Sequence, residues 1–285
     1  MKIVATDIDR HAWSSLGVDA FRRDYLQPLR PLIVAGAIDH WSALGKWTPD
    51  FFRREHGTRR VTVDGSEWAL GELIDRIEAS TLDAPAPYLR NEALARWPES
   101  IRADVAPMPE CTRPNWLESR AFPSRNPPTF VELYIGGVGA KFPVLHYDNL
   151  HTHAFLMQLH GEKEYVVLAP DQTAFVYPRG GDEANKSRIA DLENPDFEKF
   201  PLFREARATR FRLRAGETLF VPAGWWHTAR IMTTSITVSI NGVNAPNWRT
   251  FVRDYCDGIA ENSRVKAALL LPYLIGLGDV LDIFQ

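Results

Sequence analysis

Cysteine is almost missing from this chain, with Cys111 and Cys256 its only two. Two thiols cannot build a disulfide framework, so a reducing compartment is expected. Long apolar runs are lacking too. The longest, from Ala267 to Leu281, is broken by Pro272, Gly276, Gly278 and Asp279. It is too short to span a bilayer, and no membrane partner is expected. The opening stretch MKIVATDIDRHAWSS has no apolar core. It does not read as a signal peptide, and the expected location is cytoplasmic. Nor is there an excess of one charge: 33 Lys and Arg face 36 Asp and Glu, a net charge of −3. That balance gives no reason to expect wholesale binding to nucleic acid or to an anionic surface.

What is present is an ordinary globular chain of 285 residues, 45% of them hydrophobic. That suits one large β-rich domain with helical additions, or two small domains. Nine tryptophans fit a barrel with a shaped interior. Residues 1–30 carry apolar positions at helical spacing, as at Val18, Phe21, Tyr25 and Leu26. Residues 31–36 read as a short strand. Thr48-Pro49 starts a helix, 60–64 is a strand turning at Gly65, and 68–79 is a helix. The Pro-rich stretch 83–128 holds a helix near 91–104. From Phe130 the texture changes to short β-rich runs at 130–135, 142–148, 153–159, 163–168, 210–214, 217–222 and 235–241, with a polar loop over 180–205. Helical spacing returns over 246–285. The expected fold is mainly β with flanking helices, a double-stranded β-helix (cupin or jelly-roll) barrel. Its expected parts are 1–129 packing on the barrel, 130–245 as barrel core, and 246–285 as C-terminal helices.

His146-Tyr147-Asp148 is an H-x-D step in a strand-like run. Alternate strand residues point to one side, so both side chains can face one interior point. A lone H-x-D is a weak signal. It strengthens with His227, at the end of Gly216-Glu-Thr-Leu-Phe-Val-Pro-Ala-Gly-Trp-Trp-His227. Two imidazoles and one carboxylate on one face, with the other positions open, make the facial triad of non-haem Fe(II) oxygenases, whose open face takes a chelating cosubstrate and O₂.

The stretch 216–227 resembles the second cupin motif, G-x₅-P-x-G-x₂-H, although Ile231 stands where an Asn usually follows. The wider resemblance is to the JmjC/cupin-8 family of Fe(II)/2-oxoglutarate-dependent oxygenases, and within it the chain is similar to the asparaginyl hydroxylase that inhibits hypoxia-inducible factor. It is carried by HYD at 146–148, HGEKEYVVLAPDQ at 160–172, ENPDFEKFPLF at 193–203, GETLFVPAGWWH at 216–227 and SITVSIN at 235–241, with PLIVAGAIDHW at 31–41 and PYLRNEAL at 87–94 upstream. Several motifs in order, over roughly 30 to 245, are more specific than any one of them.

That resemblance implies Fe(II) as metal, 2-oxoglutarate and O₂ as cosubstrates, and hydroxylation of a C–H bond with release of succinate and CO₂. It implies that Lys163 pairs with the far carboxylate of 2-oxoglutarate, that Tyr88 hydrogen-bonds the same carboxylate, and that Asn241 lies near the metal. A protein, a peptide or a small molecule is the expected substrate, and demethylation of a methylated Lys is a lesser outcome of the same chemistry. Two positions depart from the family: Pro143 replaces a Thr or Ser, and Ala154 replaces an Asn, with Thr152 or His153 as candidate substitutes.

A rival remains in His151-Thr-His153, an H-x-H pair that would join His227 in a three-histidine cupin. Such a site would serve an isomerase or a 2-oxoglutarate-independent dioxygenase; a non-catalytic ligand-binding barrel is the third class. Trp225 and Trp226 are candidate pocket walls, Arg230 a candidate contact for an acidic substrate, and His160 a surface residue. The tail 262–285 carries Val265, Ala268, Leu269, Leu271, Tyr273, Leu274, Leu277, Val280, Leu281 and Phe284. Pro272 is expected to kink or split it. The apolar surplus points to a homodimer through 262–285.

Overall fold

The structure, a computed structural model, describes residues 1–123 and 131–283. The expected boundary at 129/130, the first residue of the run 130–135, and Phe284 lie outside the described residues. β1 (Lys2–Ala5) and β2 (Arg10–Ala12) lead into α1 (Trp13–Phe21); β3 (Leu32–Ala35) is followed by α2 (Ala43–Lys46) and α3 (Pro49–His56). Thr48 caps α3, its hydroxyl accepting a hydrogen bond from the Phe51 amide at 3.1 Å, and Pro49 takes the first helical position, where a missing N–H costs nothing. β4 (Arg60–Val63) and β5 (Ser66–Ala69) form a hairpin through Gly65, and α4 (Leu70–Glu78) follows directly. The helix expected over 91–104 is corrected. Its start belongs to β6 (Leu89–Ala93), Leu94–Arg96 makes a single 3-10 turn, and the α-helix is α5 (Glu99–Asp104), separated from that turn by Trp97, which Pro98 keeps in extended backbone.

The barrel strands are β7 (Val131–Gly136), β8 (His153–His160), β9 (Glu162–Leu168), β10 (Arg207–Arg214), β11 (Glu217–Val221), β12 (Trp226–Ile231) and β13 (Ser235–Gly242), and α6 (Ala245–Ala260) and α7 (Arg264–Ile283) come after them. One sheet runs β1-β10-β9-β12, the other β2-β3-β11-β8-β13-β7-β6. Successive strands from β8 onward divide between the two sheets, the winding of a jelly roll. The β8–β9 turn depends on Gly161, whose φ is +70° and whose missing side chain admits the backbone of Thr234.

Alternation decides what each face does. On β8, Phe155, Met157 and Leu159 pack into the large core shared with α1, α3 and α4, while Ala154 and Leu156 face between the sheets. On β13, Ile236, Val238 and Ile240 take the core side, leaving Ser239 and Asn241 on the inner side. On β7, Leu133 and Ile135 are core and Glu132 and Tyr134 face inward. A mostly apolar sandwich thus encloses a polar interior.

Two expectations need correction. The run 142–148 is not a continuous strand. It is an extended edge that touches β12 through isolated bridges at Lys141–Arg230 and His146–His227, with Pro143 unable to supply a ladder N–H. Nor does Pro272 split the tail, since α7 is continuous from Arg264 to Ile283. Packing on α6 offsets the lost hydrogen bond. Leu274 is fully buried, and Gly278 leaves room for the Trp248 ring, whose Nε1 donates to the Leu274 carbonyl at 2.9 Å.

Candidate metal centre and cosubstrate pocket

His227 is the second residue of β12, and His146 lies opposite it on the extended edge. Each donates its amide to the other's carbonyl, at 3.1 Å from His146 and 2.6 Å from His227. The reciprocal pair fixes the two imidazoles side by side, with ring centroids 4.4 Å apart. Each ring is also held by the chain two residues before it. His146 Nδ1 meets the Val144 carbonyl at 3.1 Å, and His227 Nδ1 meets the Trp225 carbonyl at 3.0 Å. A carbonyl only accepts, so Nδ1 carries the hydrogen on both rings and Nε2 keeps its lone pair for a metal. Phe142 stacks on His146 at 4.4 Å and 16°. Asp148 brings Oδ2 to 3.8 Å from His227 Nε2, and ligand atoms of His146, Asp148 and His227 all lie within 4.8 Å of one another.

Electrostatics at this point favour a cation. Burial pushes the Asp148 carboxyl up against the opposing pull of His227, and burial, then His227, holds His146 well below its usual value. Asn241 beside Asp148 favours the charged carboxylate, and the Asn241 Nδ2 donates to the Thr152 hydroxyl at 2.8 Å. Two imidazoles and one carboxylate are a donor set suited to Fe(II).

The triad lines a cavity of about 530 Å³ between the sheets. On β9, Lys163 and Tyr165 face the same space. Lys163 is 2% exposed, and its Nζ donates to the Tyr88 hydroxyl at 2.9 Å. Among the described residues no carboxylate pairs with it. Burial alone pulls its pKa down to about 7 and pushes that of Tyr88 up. Buried ammonium groups require an anionic partner, so this end fits a carboxylate brought by a ligand. In the register, Val167 is opposite His227 and Lys163 is four residues on, roughly 13 Å along the strand at the usual rise. That span accommodates a short dicarboxylate between the two side chains. Gly136 leaves room for the Tyr88 ring at this end, because a side chain there would strike Tyr88 and Ile231.

All six expected site residues, His146, Asp148, His227, Lys163, Tyr88 and Asn241, line this cavity. The wall where the family carries an Asn holds Ala154, opposite Asn241, and the polar group there comes from Thr152, not His153. The three-histidine alternative loses its donors. His153 is fully buried, its Nδ1 accepts from the Ala223 amide at 3.0 Å, and its Nε2 meets Asn244 Oδ1 at 3.1 Å. His151 Nδ1 is held by Asp254 Oδ2 at 2.6 Å. Two other expectations are corrected. Trp226 points away from His227 into a core cluster and Trp225 bonds the Leu29 carbonyl, so neither walls the cavity. Arg230 faces out of it and pairs with Glu164 at 3.7 Å.

Sequence reasoning missed Asn91, Glu132, Tyr134 and Tyr165, which also line the cavity. The signal was available in Val131-Glu-Leu-Tyr-Ile135. A strand with apolar alternates and Glu and Tyr between them does not pack apolar on both sides, and its polar face has to meet solvent or a cavity.

A model of the cupin-like domain matches residues 18–243. The chain belongs to the cupin-like JmjC family. JmjC members use Fe(II) and 2-oxoglutarate. Among its relatives, lysine-specific demethylase 8 of Xenopus tropicalis is 28% identical over 233 residues, 78% of this chain and 50% of that protein. Jumonji C domain-containing protein 5 of Drosophila melanogaster is 26% identical over 254 residues, 83% of this chain and 60% of that protein. The tRNA wybutosine-synthesizing protein 5 of Gallus gallus is 38% identical over 248 residues, 78% of this chain and 73% of that protein. The chain therefore spans about half the length of the demethylase relative and more of the wybutosine one. No helix among the described residues is long and apolar enough to cross a membrane.

Proposed function

We propose that this chain is an Fe(II)- and 2-oxoglutarate-dependent hydroxylase acting on a C–H bond of a protein, peptide or amino-acid-like substrate. The supporting observation is one cavity that joins a His-Asp-His donor set to a buried, acid-free lysine. His146, Asp148 and His227 would hold the metal, and Lys163 with Tyr88 would hold the far carboxylate of 2-oxoglutarate. When bound, that pair supplies with O₂ the oxidising power for hydroxylation, releasing succinate and CO₂. The chain's own work is positional. Backbone carbonyls fix the ring tautomers, Asn241 and Thr152 steady Asp148, and the apolar outer faces of the strands keep the cavity walls rigid. A reducing, cytoplasmic setting belongs to this proposal and accords with the two free, buried cysteines.

The experiment is reconstitution of the whole chain with Fe(II) under anaerobic conditions, then addition of 2-oxoglutarate and air. Succinate formation that requires both, and that is lost in Asp148→Ala, is the expected result. Metal uptake without any 2-oxoglutarate consumption would sink the proposal in favour of a 2-oxoglutarate-independent cupin. One observation favours a second substrate class. The relative named for wybutosine synthesis in tRNA is the more identical of the three over most of its own length, which sets an RNA-borne substrate against the expectation of no nucleic acid. Gel-shift binding of bulk tRNA by the purified chain separates the two.

A further inference from the structure

Glu132 and Tyr134 are alternate residues of β7, and both face the cavity. Asn91 approaches them from β6 in a left-handed conformation, φ +55°, that Asn tolerates better than most residues. Its Nδ2 donates to Glu132 Oε2 at 3.0 Å and to the Tyr134 hydroxyl at 2.8 Å, and that hydroxyl donates to the same Oε2 at 2.8 Å. Glu132 Oε2 is thus held by two neutral donors. Among the described residues Oε1 has no donor, and no Lys, Arg or His pairs with the carboxylate. Neither lysine of the cavity wall pairs with it: Lys163 Nζ lies over the face of the Tyr134 ring, 5.5 Å from its centroid, and Lys186 pairs with Glu183 at 2.9 Å. The cavity therefore has a cationic end and an anionic end, separated by an aromatic ring.

The anionic end is close to the metal ligands. Glu132 is the register partner of Ser239 on β13, and Asn241, which lines the cavity beside Asp148, is two residues further along. That step is roughly 7 Å of strand. A carboxylate in a cavity wall with one oxygen unengaged favours a cationic partner, and charge-assisted hydrogen bonds are the stronger kind.

We propose that Glu132, oriented by Asn91 and Tyr134, selects substrates by binding a cationic nitrogen, an ammonium or a guanidinium group, beside the reacting carbon. The proposal deepens the oxygenase assignment and rests on it only for the place of the substrate.

Calorimetric titration of the whole chain with paired probes tests this. Nα-acetyl-arginine amide is compared with the neutral Nα-acetyl-citrulline amide, and Nα-acetyl-lysine amide with Nα-acetyl-norleucine amide. At least one cationic probe should bind about tenfold tighter than its neutral partner or better, the pair that responds identifying guanidinium or ammonium. Glu132→Gln should erase that preference. Equal affinities within both pairs for the wild-type chain would overturn the proposal without recourse to any variant, and so would a preference that survives in Glu132→Gln. A wild-type titration with 2-oxoglutarate run alongside keeps the two ideas apart, since its failure counts against the oxygenase assignment and leaves the cation preference readable.

Discussion

At the metal end of the cavity, both imidazoles are tied to backbone carbonyls and Asn241 beside Asp148 favours the charged carboxylate; at the other end, Lys163 sits buried with a tyrosine hydroxyl as its partner. The first end is preorganised by the chain, and its orientation survives whether or not a ligand arrives. The second carries a desolvation cost that a ligand's carboxylate would offset. A site built this way would hold a metal through geometry and a carboxylate cosubstrate through charge, so substitutions at the two ends should fail differently.

The largest expected effect is at the metal end. Asp148→Ala or His227→Ala should remove Fe(II) binding by a hundredfold or more, leaving one imidazole and one other donor, while circular dichroism reports an intact barrel. His151→Ala and His153→Ala should retain the metal. Metal content measured on the purified variants decides. Retention in Asp148→Ala with loss in the His151 or His153 variant would restore the three-histidine alternative.

Lys163→Ala should leave metal content alone and raise the apparent KM for 2-oxoglutarate by about two orders of magnitude or more, because losing one partner of a buried pair typically costs about 3–5 kcal/mol. An unchanged titration would move the carboxylate contact elsewhere in the cavity.

The same lysine sets a pH dependence of stability. Its pKa is lowered to about 7 in the folded chain from 10.5. Between those values the unfolded chain holds a proton that the folded chain lacks, so stability rises with pH across the window. Below about pH 7 both states are protonated and the cost is full and flat. Lys163→Met should therefore be more stable than wild type by a few kcal/mol near pH 6–7, with the gap closing toward pH 10. Denaturant midpoints for both proteins across that range measure it. A gap that does not vary with pH would mean that Lys163 stays charged when folded.

The difference between the two ends also explains what could be read from sequence. His146, Asp148 and His227 were legible because short local rules place them, alternation around Tyr147 and the strand after the Pro222-Ala-Gly224 turn. The role of Lys163 and Tyr88 came from family likeness alone, since they are 75 residues apart in sequence and meet only through tertiary packing. Glu132 stayed hidden because a cavity is a property of two sheets, and no single strand announces which of its faces is walled in. Trp226 and Arg230 misled because an odd spacing from His227 puts them on the opposite face of β12, and Trp225 because it precedes the strand and bonds the Leu29 carbonyl instead. The strand expected over 142–148 failed through Pro143, which leaves bridges where a ladder was anticipated.

The smallest expected effect on the cavity comes from the tail, and it bounds the comparison from outside. α7 buries Ala267, Leu274 and Gly278 toward the chain's own body, so Leu274 belongs to the core and is no probe of assembly. Val265, Leu269, Tyr273, Val280 and Ile283 remain outward, Leu269 and Val265 at 72% and 73% exposure. We propose that this outward stripe pairs with its copy in a two-fold homodimer. Leu269→Arg should then shift the species seen by light scattering from two chains to one, while Fe(II) content and the 2-oxoglutarate titration stay at wild-type values, because neither end of the cavity touches α7. A wild-type mass of one chain at tens of micromolar would end the dimer proposal. A monomeric Leu269→Arg variant that also lost its metal would show instead that the tail supports the cavity, through the contact of α6 with the turn at Asn149–His151.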